Sequence, residues 1–254
     1  MFDNAFYSIR VDITRKIRMF SKNNLSQGFM LSFLAGIYIG FGLLLSMTVG
    51  GLLKNTCLYK IGMGVTFGIG LLLVIFCGAE LFTGNNLIIG ISWLKRHVTC
   101  YNVVNILAWC LLGNLIGSIV LGKLFIESGL CTGITFDIIK ETSITKVNLS
   151  PDVLVVRGIL CNMLVCLAIW SVKQLKNEAA KIIMVSWSLF AFVTCGFEHS
   201  IANMSLLYIA YSQEVITLLQ MLYNLSLVVV GNVIGGFIIA FAYTLVDCTR
   251  RDDA

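Results

Sequence analysis

The sequence predicts an all-α membrane protein: six transmembrane helices arranged as two inverted three-helix repeats, with the second and fifth helices broken. Three observations predict it. Hydrophobic residues make up 58% of the 254 residues and charged residues only 12%, about half of the usual quarter in soluble domains. Uncharged runs recur that are long enough to cross a bilayer. Two polar motifs recur at one constant spacing. The single proline excludes a Pro-rich linker. The net charge is only +5, and the basic residues sit at segment ends rather than on one stripe, which excludes a nucleic-acid binder.

Residues 1–27 hold five Lys/Arg and no continuous apolar core, so they do not read as a signal peptide. Phe2, Phe6, Ile9, Ile13, Ile17 and Phe20 recur at steps of four and three and form one helical face. Arg10, Arg15, Lys16 and Arg18 lie mostly off it. This pattern predicts a cytoplasmic amphipathic helix lying on the membrane surface. Gly28–Leu53 and Val98–Gly122 each exceed the ~20 residues that a span needs. Pro151–Val172 opens on Ser150-Pro151-Asp152, a helix start with Ser as N-cap and Pro in the first turn. Val215–Val246 is uncharged and holds one span with a loop at its front.

Two runs differ. Ile61–Leu94 carries one charge, Glu80, and Ile182–Gln213 carries one, Glu198, followed by His199. Each is too long for one straight span and too short for two plus a turn. Each has polar residues near its middle: Thr83, Gly84, Asn85 and Asn86 in one, Ser200 and Asn203 in the other. Non-helical backbone is tolerated at membrane depth only where protein or a cavity surrounds it. Both runs therefore read as broken helices, giving six spans. The side that holds both termini carries 12 of the 18 Lys/Arg, so both termini are expected in the cytoplasm.

The broken runs resemble each other. Cys77-Gly78-Ala79-Glu80 matches Cys195-Gly196-Phe197-Glu198, and Gly113-Asn114-Leu115-Ile116-Gly117 matches Gly231-Asn232-Val233-Ile234-Gly235. Both pairs lie 118 residues apart (80 to 198, 113 to 231). A unit of three spans is odd, so the second copy must be upside down, the architecture of many transporters. The channel domain is then residues 28–248, with repeats at about 28–125 and 146–248 and a cytoplasmic tail at 249–254. The Gly-Asn-x-x-Gly motifs read as close helix packing, with Asn114 and Asn232 bonding the exposed backbone of the breaks.

Glu80 and Glu198 are expected to cap the helices that restart after the breaks; proton or ion handling is the other reading. His199 has no counterpart in the first copy, where Leu81 stands, and it is the only histidine at membrane depth. An intramembrane ionisable residue is a functional candidate, and its titration range suits weak-acid chemistry. The Thr83 hydroxyl can donate to an anion or hold His199. The nine cysteines include no CxxC pair and read as small core residues, with a Cys57–Cys131 bridge left open. No metal site and no cofactor are expected.

Four strings carry a family resemblance. CGAELFTGNN at Cys77–Asn86 and GFEHSIANM at Gly196–Met204 resemble the paired signatures of the formate/nitrite transporter family. RGILCNMLVCLAIW at Arg157–Trp170 and NLSLVVVGNVIGG at Asn224–Gly236 do likewise. The likeness covers nearly the whole chain, and loop lengths look most like the hydrosulfide-channel branch. It implies an aquaporin-like fold, a homopentamer in the lipid bilayer with one pore per protomer, and passage of formate, nitrite or hydrosulfide. It also implies site residues. His199 matches the pore histidine, Thr83 the first-break threonine, and Lys146 the vestibule lysine ahead of Asn162 in the fourth span. Glu198 and Asn203 match the polar residues beside the histidine, and Phe67, Leu71, Leu81 and Phe192 resemble the hydrophobic narrowings. Ser226-Leu227 stand where the family often has Ile-Pro, which bears on local helix geometry.

Two mechanisms stay open at this point. A bare anion should not cross a dry ring of Phe and Leu, because desolvating a charge is costly. Either the acid crosses neutral, protonated from solvent or through His199, or the anion stays charged beside a protonated His199. The basic N-terminal helix would be placed to act as a gate. A water or small-solute channel of the same fold would want paired Asn-Pro-Ala motifs, and the lone proline is Pro151. A membrane enzyme would need a nucleophile–base set that the sequence lacks. A non-transporting scaffold would fail an anion-flux assay.

Overall fold

In the computed structural model, which describes residues 2–252 and the side chains of residues 2–247, every regular element is helical. The helices are α1 (Asp3–Met19), α2 (Leu25–Leu53), α3 (Tyr59–Phe67), α4 (Ile69–Phe76), α5 (Phe82–Leu94) and α6 (Cys100–Glu127). They continue as α7 (Gly133–Val147), α8 (Pro151–Gln174), α9 (Glu178–Cys195), α10 (Ser200–Ser212) and α11 (Leu218–Asp252). Six stretches are long and apolar enough to cross a membrane: α2, α3 with α4, α6, α8, α9 and α11. The helix of α11 continues into the predicted tail, whose side chains, like that of Cys248, fall outside the described residues.

The two long polar-centred runs each stop and restart. Helix α4 ends at Phe76 and α5 begins at Phe82; α9 ends at Cys195 and α10 begins at Ser200. Glycine makes both stops: Gly78 and Gly196 take φ of +75°, a left-handed turn that only glycine adopts at little cost. The chain then returns through matching bonds. The Ala79 N–H reaches the Val74 carbonyl and the Phe197 N–H the Phe192 carbonyl, both at 2.9 Å. The Glu80 N–H reaches Leu31 and the Glu198 N–H reaches Arg157, both at 3.2 Å.

Asn114 and Asn232 seal the restarts. Asn114 Oδ1 accepts the Phe82 N–H at 2.9 Å, and its Nδ2 donates to the carbonyls of Ser32 (2.7 Å) and Glu80 (3.0 Å). Asn232 Oδ1 accepts the Ser200 N–H at 2.9 Å, and its Nδ2 donates to Gly158 (2.8 Å) and Glu198 (3.0 Å). The flanking glycines bring these asparagines within reach. A Cβ on Gly117 would sit 2.0 Å from the Phe33 carbonyl oxygen, and one on Gly235 would sit 2.3 Å from that of Ile159. Backbone contact this close lets α2 lie on α6 and α8 on α11.

One expectation is corrected and one open alternative is closed. The apolar face of α1 is turned onto the bundle, not onto lipid. Ala5, Ile9, Ile13, Met19 and Phe20 are buried there, and Phe2 and Phe6 meet the Trp170 ring edge-on at 5.6 and 5.3 Å. Aromatic partners on α8 and α11 and a Lys173–Asp12 ion pair give this face a fixed protein surface to pack on. The Cys57–Cys131 bridge is not formed: both are free thiols, Cys57 exposed and Cys131 buried. One helix was not foreseen at all. The stretch from 133 to 147 is rich in Thr and Ile, poor helix formers, yet it folds as α7 with Ile138, Ile139, Ser143 and Val147 buried.

Candidate functional site

A cavity of about 310 Å³ enters the bundle at the end of α7 and reaches the break between α9 and α10. Lys60, Lys146 and Arg157 line it against Glu141 and Glu198, so basic groups are in excess. Its floor is aromatic. Phe67 and Phe192 meet edge-to-face at 5.5 Å, and His199 stacks on Phe192 at 5.7 Å with 16° between the rings. Phe67, Phe192 and His199 are 2–3% exposed, so little water reaches the floor.

Both ring nitrogens of His199 are engaged. It is the N-cap of α10, and its Nδ1 accepts the Ala202 N–H at 3.1 Å. Its Nε2 lies 3.0 Å from Thr83 Oγ1. The Nδ1 bond assigns the tautomer: the neutral ring carries its hydrogen on Nε2, and the Thr83 oxygen accepts it. A second proton on Nδ1 would face the Ala202 N–H and break the cap. The neutral ring is the form that this cap fits.

The carboxylates do not cap the restarted helices, contrary to expectation. Asn114, Asn232 and His199 already meet the free N–H groups there, so the carboxylates are left for cations. Glu198 Oε2 accepts Lys146 Nζ at 2.7 Å and Asn203 Nδ2 at 2.6 Å. Glu80 repeats this at the other break: it pairs with Lys16, accepts Asn85 Nδ2 at 3.1 Å, and takes an Arg15 N–H at 3.0 Å. Both carboxylates are 1% exposed. Buried carboxylates need such partners, because an unpaired charge there is costly.

Lys16 is a residue that sequence reasoning missed. It reads as one of the solvated basic residues of α1, yet it is 5% exposed. The signal was present: Ile9, Ile13, Lys16 and Phe20 step by four and three along the buried face. Of the remaining candidates, Leu71 and Leu81 are buried but do not line the cavity. Asn162 lies away from the cavity and donates to the Asn232 carbonyl, while its Oδ1 has no protein partner. Among the described residues, no group of three His, Cys, Asp or Glu side chains could hold a metal ion.

A second cavity, about 530 Å³, lies beneath α1 and is lined by Arg10, Lys95 and His97. Burial, then the charges of Arg10 and Lys95, hold His97 below its ordinary value of 6.5. The folded state thus resists a proton that the unfolded chain takes up, and stability falls as pH drops through that value. His97 is largely exposed, so the effect is small. His97→Gln is expected to soften the fall in thermal midpoint between about pH 7.5 and about pH 5.5, read in detergent.

The formate/nitrite transporter family model matches residues 4–246. Nitrite transporter NirC of Escherichia coli (strain K12) is 36% identical over 241 residues, 93% of this chain and 88% of that protein. Formate channel BtFdhC of Bacillus thuringiensis is 32% identical over 218 residues, 84% of each. A solved FNT family ion channel superposes with a TM-score of 0.89 at 32% identity, covering 96% of this chain and 98% of that one. A pentameric formate channel with formate bound gives 0.78 at 26% identity, covering 90% and 99%. These relatives are transporters and channels, not enzymes.

Proposed function

The chain belongs to the formate/nitrite transporter family, and from that premise we propose that it passes small monovalent anions of weak acids across the cell membrane as their neutral acids. Formate and nitrite are favoured by the relatives named above, and hydrosulfide by loop lengths in the sequence. The working unit is a homopentamer, as in the formate channel that resembles it. The distribution of Lys/Arg favours both termini, and with them α1, facing the cytoplasm. The halves act as inverted repeats of an aquaporin-like fold. The bonds of Asn114 and Asn232 on the two restarts, alike in donor and length, support that symmetry.

Passage begins in the basic cavity, where Lys60, Lys146 and Arg157 raise the local anion concentration. At the floor the anion meets Phe67, Phe192 and an uncharged His199. Crossing as an ion would strip its water without a counter-charge, so a proton from the cavity water joins it first. The neutral acid then needs only a hydrogen bond, and the Thr83 hydroxyl, whose oxygen accepts the Nε2–H of His199, has its own hydrogen to give. Beyond the ring, Lys16 beside Glu80 receives the reionised anion. The observation that carries this reading is the Ala202 N–H on His199 Nδ1, which leaves the ring no place for a second proton. It disfavours the version in which a charged anion crosses beside an imidazolium.

The test is flux into vesicles reconstituted with the full chain, with formate, nitrite and hydrosulfide run side by side. Uptake of at least one above that of protein-free vesicles is expected. Uptake of none would make the protein a scaffold.

A further inference from the structure

We infer that Asn224 is the positioning residue of the charged mouth: it grips the end of α7 and thereby holds the Lys146 ammonium over the narrowing. The inference rests on the vestibule role proposed for Lys146. Asn224 stands near the start of α11, is fully buried, and does not itself line the cavity. Its Nδ2 donates to the main-chain carbonyl of Lys146 at 3.1 Å, and its Oδ1 accepts Asn203 Nδ2 at 2.9 Å.

These bonds close a ring. Lys146 Nζ donates to Glu198 Oε2, Glu198 Oε2 accepts Asn203 Nδ2, Asn203 donates to Asn224, and Asn224 donates back to the Lys146 backbone. One lysine is thus held at both ends, by side chain and by main chain. The need for this is physical. Lys146 lies in the last turn of α7, where carbonyls have no partner within the helix. Its ammonium rides on a flexible four-carbon stem that has no fixed place of its own. The neighbouring Tyr223 hydroxyl donates to the Leu149 carbonyl at 3.0 Å, so α11 clasps the chain on both sides of the α7 end.

The other break lacks the device. There Asn85 bonds Glu80 and the Cys110 thiol, and the position 118 before Asn224 is Ile106, a buried apolar residue. The symmetry of the two halves therefore does not call for an asparagine at 224. What calls for it is the lysine of this mouth.

Formate uptake against concentration, in vesicles of the full chain, tests the inference with wild type, Lys146→Gln, Asn224→Leu and the double variant. Asn224→Leu is expected to raise the half-saturating formate concentration about fivefold, the worth of one net hydrogen bond, with the maximal rate within about twofold. In the Lys146→Gln background it should add nothing, because both act through one ammonium. If the leucine variant does not assemble, Asn224→Ser, smaller and still polar, is put through the same cycle. Half-saturation unchanged from wild type, or an effect that adds in full to that of Lys146→Gln, overturns the inference. Should Lys146→Gln itself leave half-saturation at the wild-type value, the vestibule role of the lysine falls instead, which is a separate failure.

Discussion

Replacing Asn232 with leucine is expected to cost the folded channel about 3 kcal/mol or more, since three buried hydrogen bonds go at once and each orphaned group costs about 1–3 kcal/mol. The Ser200 N–H and the carbonyls of Gly158 and Glu198 would be left in an interior that offers no water. The turn that places His199 then loses its direct bonds to α11. The expected readout is a large drop in the thermal midpoint of the detergent-solubilised protein, or no folded species at all. Asn114→Leu should behave alike, because its amide makes the same three kinds of bond around Glu80. Ser226→Ala, at an exposed position of α11, is the control and should stay within about 0.5 kcal/mol of wild type. Wild-type melting of Asn232→Leu would show that the restarts are held by something other than these amides.

The second large effect concerns the narrowing. His199→Asn keeps a side-chain oxygen able to cap α10, because asparagine is among the best N-caps. It removes the ring stacked on Phe192 and the bond to Thr83. The floor of the cavity then opens without losing the helix behind it. The expected result is an intact protein through which bare anions leak: formate-driven current at alkaline pH rises about tenfold or more, corresponding to roughly 1.4 kcal/mol off the desolvation barrier. A ring serving as the proton carrier predicts the opposite, a loss of transport. Ion conductance and water permeability, measured on the same vesicles, tell the two apart.

Much of this architecture was legible in the sequence because bilayers read hydropathy and length. Gly28–Leu53 and Pro151–Val172 have few ways to be satisfied except by crossing. The breaks were legible for a related reason: Glu80 and Glu198 each interrupt a run too long for one span. Asn114 and Asn232 were legible as the groups that would meet the broken backbone, since their Gly-Asn-x-x-Gly motif recurs at the same spacing of 118 residues as the two breaks. The roles of the two carboxylates were not. A carboxylate next to a helix start suits the start as well as it suits a cation, and only the positions of Asn114, Asn232 and His199 decide between them. Lys16 and Asn224 were hidden in another way. Each acts on residues far along the chain, Lys16 on Glu80 and Asn224 on Lys146, across packing that no local pattern encodes. Helix α7 was hidden by its own threonines and isoleucines, since its helical state comes from burial against the bundle rather than from propensity.

The central claim is that the acid is uncharged where it passes His199. Counting protons tests it most directly. Vesicles of the full chain, carrying an internal pH dye and a potential-sensitive dye, are given an inward formate gradient at equal pH on both sides. Neutral passage predicts that about one proton enters with each formate and that no membrane potential develops. Formate influx that leaves the interior pH unchanged and drives the interior negative would contradict it.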